Sequence, residues 1–186
     1  MKRMLALALF GVACATSTGR SSGNLVENGR FEADISGALV LNGSTLARDN
    51  THVHSGVWAL KVTTANVKGS GFWLQPRGSL APPFSALAYP VVGGQSYTLT
   101  AWVYAEAGAV GKPVNMGLGW YGGLTFVKPK VNTVTVLAPG WNAITATVMA
   151  PVTITYAGLD FETDGEQGPQ GVFDFWVDDV VFEPTN

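Results

Sequence analysis

From Asn24 onward, the sequence places apolar residues at every second position, and no stretch holds the apolar period of a helix. Successive side chains of a strand point to opposite faces, so this pattern predicts strands with one face in a core. The clearest case is residues 97–106. The same alternation occurs in segments 58–63 and 144–149, and residues 173–182 form a further predicted strand.

Glycine- or proline-rich segments separate these predicted strands, in a chain with 23 Gly and 10 Pro. Many short strands with such breaks are typical of an all-β, two-sheet antiparallel β-sandwich, and we predict a jelly roll. A chain of 186 residues is long enough for one domain with a real core. We therefore assign residues 24–186 to a single jelly-roll binding domain.

The composition excludes several classes of function. Eleven Lys and Arg against thirteen Asp and Glu give a net charge of −2, so no nucleic-acid partner is expected. A single Cys excludes an intrachain disulfide and multi-cysteine zinc sites. No catalytic motif occurs, and Asp178 and Asp179, as neighbours on a strand, are predicted to face apart rather than flank a glycosidic bond. We predict that the chain is not an enzyme.

Residues 1–23 form a separate N-terminal segment. Two positive charges, an apolar run to Ala13 and small residues around Cys14 resemble a secretory signal peptide, followed by a Ser- and Gly-rich linker. The apolar run is too short to span a membrane. This interpretation predicts an extracellular or cell-surface protein. Lipidation of Cys14, or a retained arm that anchors the chain to a partner, are the alternatives.

Four sequence segments, taken in order, carry a family resemblance. They are Asn24-Leu-Val-Glu-Asn-Gly-Arg-Phe-Glu32, His54-Ser-Gly-Val-Trp-Ala-Leu-Lys-Val62, Gly94-Gln-Ser-Tyr-Thr-Leu-Thr-Ala-Trp-Val103, and Gly140-Trp141 with its strand followed by Val177-Asp-Asp-Val180. The ordered set resembles the galactose-binding-like jelly-roll carbohydrate-binding modules of cellulases and xylanases. Similar modules occur in bacteriophage tail and capsid-surface proteins. Residues 77–92, rich in Pro and Ala, form an insertion relative to this pattern.

The resemblance implies a non-catalytic carbohydrate-binding module that docks glycans or cell-surface polysaccharides through one aromatic-bearing sheet face. The alternative is a structural or decoration protein on the surface of a virion, a phage capsid or tail, with residues 1–23 as an assembly arm that contacts other subunits.

Aromatic side chains outside the core are the candidate sugar contacts, because pyranose rings stack on flat aromatic faces. Trp73 and Gln75 share a strand face opposite Phe72 and Leu74, like the cleft tryptophan strand of the family. Other aromatics also take the face opposite the apolar one. The predicted carbohydrate-binding residues are Trp73, Gln75, Trp102, Tyr104 and Tyr121. The alternative is that the 77–92 insertion or a neighbouring chain covers these rings.

The other tryptophans are assigned structural positions. Trp58 and Trp120 share their strand parity with aliphatic neighbours and are predicted to be core residues. Trp141 is predicted to cap the sandwich.

The resemblance also implies one structural calcium ion, with Glu32 and Asp178 as matching carboxylates and the Gly29 carbonyl as a third oxygen. The alternative is that Glu32 and Asp178 only bond loop backbone. Asp160–Glu166 is interpreted as a solvated acidic loop rather than a calcium loop. His52 and His54 are assigned packing or turn capping rather than metal ligation.

Overall fold

The computed structural model describes residues 23–76, 88–123, 125–163 and 167–185, and these residues form a β-sandwich. No helix in this part of the chain is long and apolar enough to cross a membrane. The predictions for residues 1–22 lie outside the described residues, as does most of the 77–92 insertion. The strands are β1 (Ala38–Leu41), β2 (Thr45–Asp49), β3 (Ala59–Thr63), β4 (Gly71–Leu74), β5 (Tyr89–Pro90), β6 (Ser96–Ala105), β7 (Pro113–Gly122), β8 (Thr125–Val136), β9 (Gly140–Met149), β10 (Tyr156–Thr163) and β11 (Asp174–Pro184).

The strands form two antiparallel sheets. Sheet A has the order β1-β4-β10-β7-β8, and the short β5 also pairs with β10. Sheet B has the order β2-β3-β11-β6-β9. Except for the consecutive pairs β7-β8 and β2-β3, neighbouring strands come from distant parts of the sequence, as in a jelly roll. The predicted all-β, two-sheet fold is confirmed.

The core lies between the inner faces of the two sheets. In β6 every second residue is buried, among them Leu99 and Val103. From sheet A, Phe72 and Phe161 stack with ring centroids 5.1 Å apart. Trp120 is a core residue, as predicted, with 2% of its surface exposed. Because the core uses the inner faces, the outer faces are the places where other side chains can meet a ligand.

A β-bulge interrupts β11 beside the acidic pair. The register with β6 shifts between Asp178 and Val181, and Asp179 adopts a positive φ of 47°. The bulge turns both carboxylates toward one loop segment, where each accepts hydrogen bonds from His54 and Ser55. The prediction that Asp178 and Asp179 face apart is therefore wrong, because simple alternation fails at a bulge.

Candidate functional site

The predicted sugar-contacting residues lie on two different outer faces. Trp73 of β4 and Tyr121 of β7 belong to sheet A, whereas Trp102 and Tyr104 of β6 belong to sheet B. The two sheets are packed face to face through the core, so these pairs point away from each other. The structure does not bring the predicted residues together as one site.

Gln75 does not join the exposed face that its parity with Trp73 predicted. It follows the last residue of β4 and is only 3% exposed. Its backbone amide donates to the Gly37 carbonyl, and its side chain lines a small cavity with Phe31 and Tyr89. The strand ends one residue too early for Gln75 to continue the alternation.

On the outer face of sheet A, paired residues of four neighbouring strands form a row. Trp73 pairs with Asp160 of β10, Asp160 with Gly117 of β7, and Gly117 with Asn132 of β8. With about 4.8 Å between strands, this row is about 14 Å wide. Trp73 is 38% exposed at one side of the row.

A polar centre, formed by Lys130, Asp160, Glu162 and Asn115, lies in the middle of this face. The Lys130 ammonium reaches from β8 to bond Asp160 Oδ1 at 2.7 Å and Glu162 Oε1 at 3.0 Å. It crosses the sheet over Gly117, where a Cβ atom would overlap both Asp160 Oδ1 and Lys130 Cε. A glycine is therefore required at this position for the Lys130 side chain to reach the two carboxylates.

Asn115 belongs to this polar centre and has a hydrogen-bond acceptor that receives no donor. The residue is 3% exposed, and its amide nitrogen donates to Asn132 at 3.2 Å and to Glu162 at 3.4 Å. Its Oδ1 atom has no hydrogen-bond partner among the described residues. A buried carbonyl oxygen without a donor is costly, so a donor that reached this atom would stabilise the folded chain.

Aromatic rings lie on the side of the polar centre that is opposite Trp73. The Tyr121 ring covers Gly158, where a Cβ atom would be 3.0 Å from Tyr121 Cε2, and packs 5.4 Å from the ring of Phe126. Phe126 is 40% exposed. The face therefore has a polar centre with accessible aromatic surface on both sides.

Burial shapes the protonation of the centre. Burial raises the pKa of Asp160 to about 6, although Lys130 works against this shift. Burial lowers the pKa of Lys130, but the charges of Asp160 and Glu162 outweigh it and raise that pKa overall. The pKa of Tyr121 is raised by burial and by the nearby Asp160 charge.

The Asp160 pKa predicts a specific dependence of stability on pH. A folded-state pKa above the ordinary 3.8 means that protonation favours the folded state. This contribution is fully present below about pH 4 and is lost as the pH rises through about 6. Between pH of about 4.5 and 7.5, wild type should lose about 1 to 3 kcal/mol of unfolding free energy relative to Asp160→Asn. Denaturant unfolding at both pH values measures the difference, and parallel pH profiles for the two proteins would contradict it.

The loop that precedes β3 covers the part of the outer face of sheet B that carries Trp102 and Tyr104. The His54 ring stacks on Trp102 and the His52 ring on Tyr104, each with centroids 4.0 Å apart. Trp141 contacts the rings of His54 and Tyr104 on this same face, so it does not cap the end of the sandwich as predicted. The histidines thus pack against the aromatics, and loop residues of this chain cover Trp102 and Tyr104.

Carboxylates hold this histidine loop in place. His52 bonds Glu106 at 2.7 Å, and His54 bonds Asp179 at 2.6 Å. Burial alone would raise the pKa of Asp179, but hydrogen bonds from His54 and Ser55 and the charge of Arg30 lower it overall. Both histidine rings of the loop therefore have a carboxylate partner within the chain.

Glu32 and Asp178 act on the same loop as acceptors for its amides. Glu32 Oε1 accepts from the amides of Val57 and Trp58, at 2.8 and 3.1 Å. Asp178 Oδ2 accepts from the amides of His54 and Ser55, at 2.9 and 3.0 Å. This is the loop-backbone role considered for the two carboxylates. Among the described residues, no group of three or more His, Cys, Asp or Glu is arranged to hold a metal.

The calcium ion implied by the resemblance remains a prediction, tested by thermal unfolding with and without chelator. An ion bound only by the folded state stabilises it by about 2.7 kcal/mol at a hundredfold excess over its dissociation constant. If it is bound, chelator lowers the Tm, calcium restores it, and Asp178→Ala removes the response. An unchanged melting curve would leave Glu32 and Asp178 as amide acceptors only.

Sequence analysis missed the two acidic residues of the sheet A centre. Asp160 and Glu162 were predicted to lie in a solvated loop, but they belong to β10 and face Lys130. The alternation of Ala157, Leu159 and Phe161 was the signal that could have placed them on a strand. Residues 164–166 of the predicted loop lie outside the described residues.

Comparison with known proteins gives structural matches only. No protein-family model matches the sequence, and no curated protein matches it. A xylan-binding domain of carbohydrate-binding family 22 superposes with a TM-score of 0.64 at 16% identity, covering 89% of this chain and 97% of the domain. The CBM22-1-GH10 portion of Clostridium thermocellum endo-1,4-β-D-xylanase 10B, complexed with xylohexaose, has a TM-score of 0.61 at 20% identity, covering 84% of this chain.

A phage protein shares the same fold. The enzymatically active domain of bacteriophage CBA120 tailspike protein 4 has a TM-score of 0.65 at 12% identity, covering 87% of this chain. This chain spans 21% of the tailspike chain and 28% of the xylanase chain, whereas it spans almost all of the isolated domain. The chain therefore has the jelly-roll fold of the carbohydrate-binding modules that its motifs resemble.

Proposed function

We propose that this chain is a non-catalytic carbohydrate-binding module that docks a glycan on the outer face of sheet A. The observation that carries the proposal is the combination of exposed Trp73 with the polar centre formed by Asn115, Lys130, Asp160 and Glu162. The ring supplies a stacking surface, and the centre supplies hydrogen-bond groups for hydroxyls. Tyr121 completes the face on the far side of the centre.

The fold neighbours suggest which glycan to test first. One neighbour is a xylan-binding domain and another was solved with xylohexaose, so a β-1,4-linked xylose chain is the first candidate. The width of about 14 Å between Trp73 and Asn132 gives room for two or three sugar rings. The proposal for Trp102 and Tyr104 as sugar contacts is weaker, because His52 and His54 cover one side of their rings.

The arrangement of the carboxylates supports binding rather than hydrolysis. A glycosidase needs two carboxyl groups that flank the scissile bond. Asp160 and Glu162 are instead bonded to one ammonium group, that of Lys130, on one side of the face.

Isothermal titration with xylohexaose and pull-down with insoluble xylan test the proposal. We expect saturable binding with one site per chain. A panel of other neutral polysaccharides extends the test, and failure to bind any of them at millimolar concentrations of binding sites would contradict the proposed function.

A structural role on a virion is the second candidate, and the tailspike similarity supports it at the level of the fold. In this role residues 1–23 anchor the chain to other subunits, whereas in the first they direct it to the cell surface or outside the cell. The intact mass of the native protein separates the two. A mass that begins after Ala15 or includes a lipid on Cys14 supports export, and a mass that begins at Met1 or Lys2 supports the arm.

A further inference from the structure

Building on the proposed glycan-binding function, we infer that the face of sheet A selects neutral glycans and rejects those with a carboxylate or sulfate group. The ligand groups offered by the centre are mostly oxygen acceptors, and its net charge is negative. A neutral hydroxyl can donate to these oxygens, whereas an anionic group brings only further acceptors.

The hydrogen-bonding groups that the polar centre leaves open favour a neutral ligand. Asn115 already donates to Asn132 and Glu162, and its Oδ1 atom is buried with no donor among the described residues. Lys130 donates to both Asp160 and Glu162. The groups that remain for a ligand are therefore the third N–H of Lys130, the Asn115 oxygen and the open lone pairs of the two carboxylates. A ligand hydroxyl both donates and accepts and can satisfy all of these groups, whereas an anion can accept from the Lys130 N–H but leaves the oxygens without a donor.

The net charge of the polar centre disfavours an anionic ligand. Two carboxylates face one ammonium, so the centre carries a net charge of −1 when all three groups are ionised. Both carboxylates are poorly exposed, with 8% and 18% of the Asp160 and Glu162 side chains accessible. Solvent screens a ligand charge placed against them less well than on an open surface. An anion bound over the centre therefore meets repulsion that a neutral sugar avoids.

The selectivity against anionic glycans should depend on pH, because Asp160 is part of the polar centre. The groups that face Asp160 among the described residues are Lys130 from β8, Tyr121 from β7 and Glu162 from its own strand. Burial raises the pKa of Asp160 to about 6, so acidification to pH of about 5 neutralises Asp160 while a uronate stays ionised. The net charge of the centre then falls to zero, and the rejection of anionic glycans weakens.

Two matched oligosaccharides test the inference on the full-length chain. Both have the same xylose backbone, one with a single glucuronic acid branch and one with glucose in its place, so they differ in charge and not in the size of the branch. At pH of about 7.5 and low salt, we expect the glucose-branched form to bind at least about fivefold more tightly, since one charge at contact distance is worth about 1 kcal/mol in water.

The variant Glu162→Gln and a second pH supply the controls. We expect the ratio of the two affinities to fall by at least about half in Glu162→Gln, and by a similar amount in wild type at pH of about 5. Equal affinities at pH of about 7.5, a preference for the glucuronate form, or a ratio that ignores both changes would overturn the inference. In each of those cases a glycan still binds, so the proposed function survives. Absence of binding by both oligosaccharides and by unbranched xylohexaose would instead overturn the proposed function.

Discussion

Replacing Trp73 with Ala should lower the affinity for xylohexaose at least about 30-fold, which corresponds to a loss of about 2 kcal/mol. Trp73 is the exposed ring beside the polar centre, and its removal deletes the stacking surface while leaving the hydrogen-bonding groups in place. Its side chain lies outside the buried core, so the variant should still fold, with some loss of stability from the covered part of the ring. Isothermal titration measures the affinity, and thermal unfolding confirms that the variant is folded.

The matched control for this prediction is Trp102→Phe on the outer face of sheet B. It also changes an outward-facing tryptophan, but one that lies on the opposite side of the sandwich under His54. Its affinity for xylohexaose should stay within about twofold of wild type. Wild-type affinity in Trp73→Ala, or a loss of affinity in Trp102→Phe alone, would contradict the placement of the glycan on the outer face of sheet A.

Replacing Asp178 with Ala should lower the free energy of unfolding by about 3 kcal/mol, because three backbone amides lose their acceptor. Asp178 is fully buried and accepts from the amides of His54, Ser55 and Asp179, at 2.9, 3.0 and 2.7 Å. Burial raises the pKa of Asp178 to about 6, so relief of this buried charge offsets part of the loss. For a chain of this size the Tm should fall by about 10 °C.

Asp178→Asn is the conservative control. It keeps one oxygen for the amides of His54 and Ser55, but its NH2 group cannot accept from Asp179, so the loss of unfolding free energy should be about 1 to 2 kcal/mol and smaller than in Asp178→Ala. Denaturant unfolding in the presence of chelator measures both variants independently of any calcium. Equal stability of Asp178→Ala and wild type would show that the loop does not depend on this carboxylate.

The fold could be predicted from the sequence because strand alternation is a local property. Residues such as Leu99 and Val103 repeat every two positions, and burial follows that period in β6. The two-sheet arrangement follows from many short apolar strands that must bury one face each. The same parity showed that Trp73, Trp102, Tyr104 and Tyr121 point outward.

Parity alone could not show which outer face each residue occupies. Trp73 and Trp102 both point away from the core, but β4 pairs into sheet A and β6 into sheet B. Strand pairing depends on contacts between distant segments, which a single sequence does not display. The candidate site was therefore predicted as one face, when its residues are divided between two.

Local irregularities account for the other errors. The bulge at Asp179 breaks the alternation of β11, and Gln75 lies beyond the end of β4. The polar centre was missed because Lys130, Asn115 and Asp160 come from three different strands, which only strand pairing brings together. A composition-based interpretation of the acidic segment after Asp160 outweighed the alternation that placed it on a strand.

The most direct test of the central claim is a nuclear magnetic resonance titration that follows the indole N–H signals of the six tryptophans with xylohexaose. The account predicts a saturable shift of the Trp73 signal, on the outer face of sheet A. The signals of Trp102, Trp141 and Trp176, which belong to sheet B, should stay in place. Shifts at the sheet B tryptophans with an unmoved Trp73 signal would contradict the account.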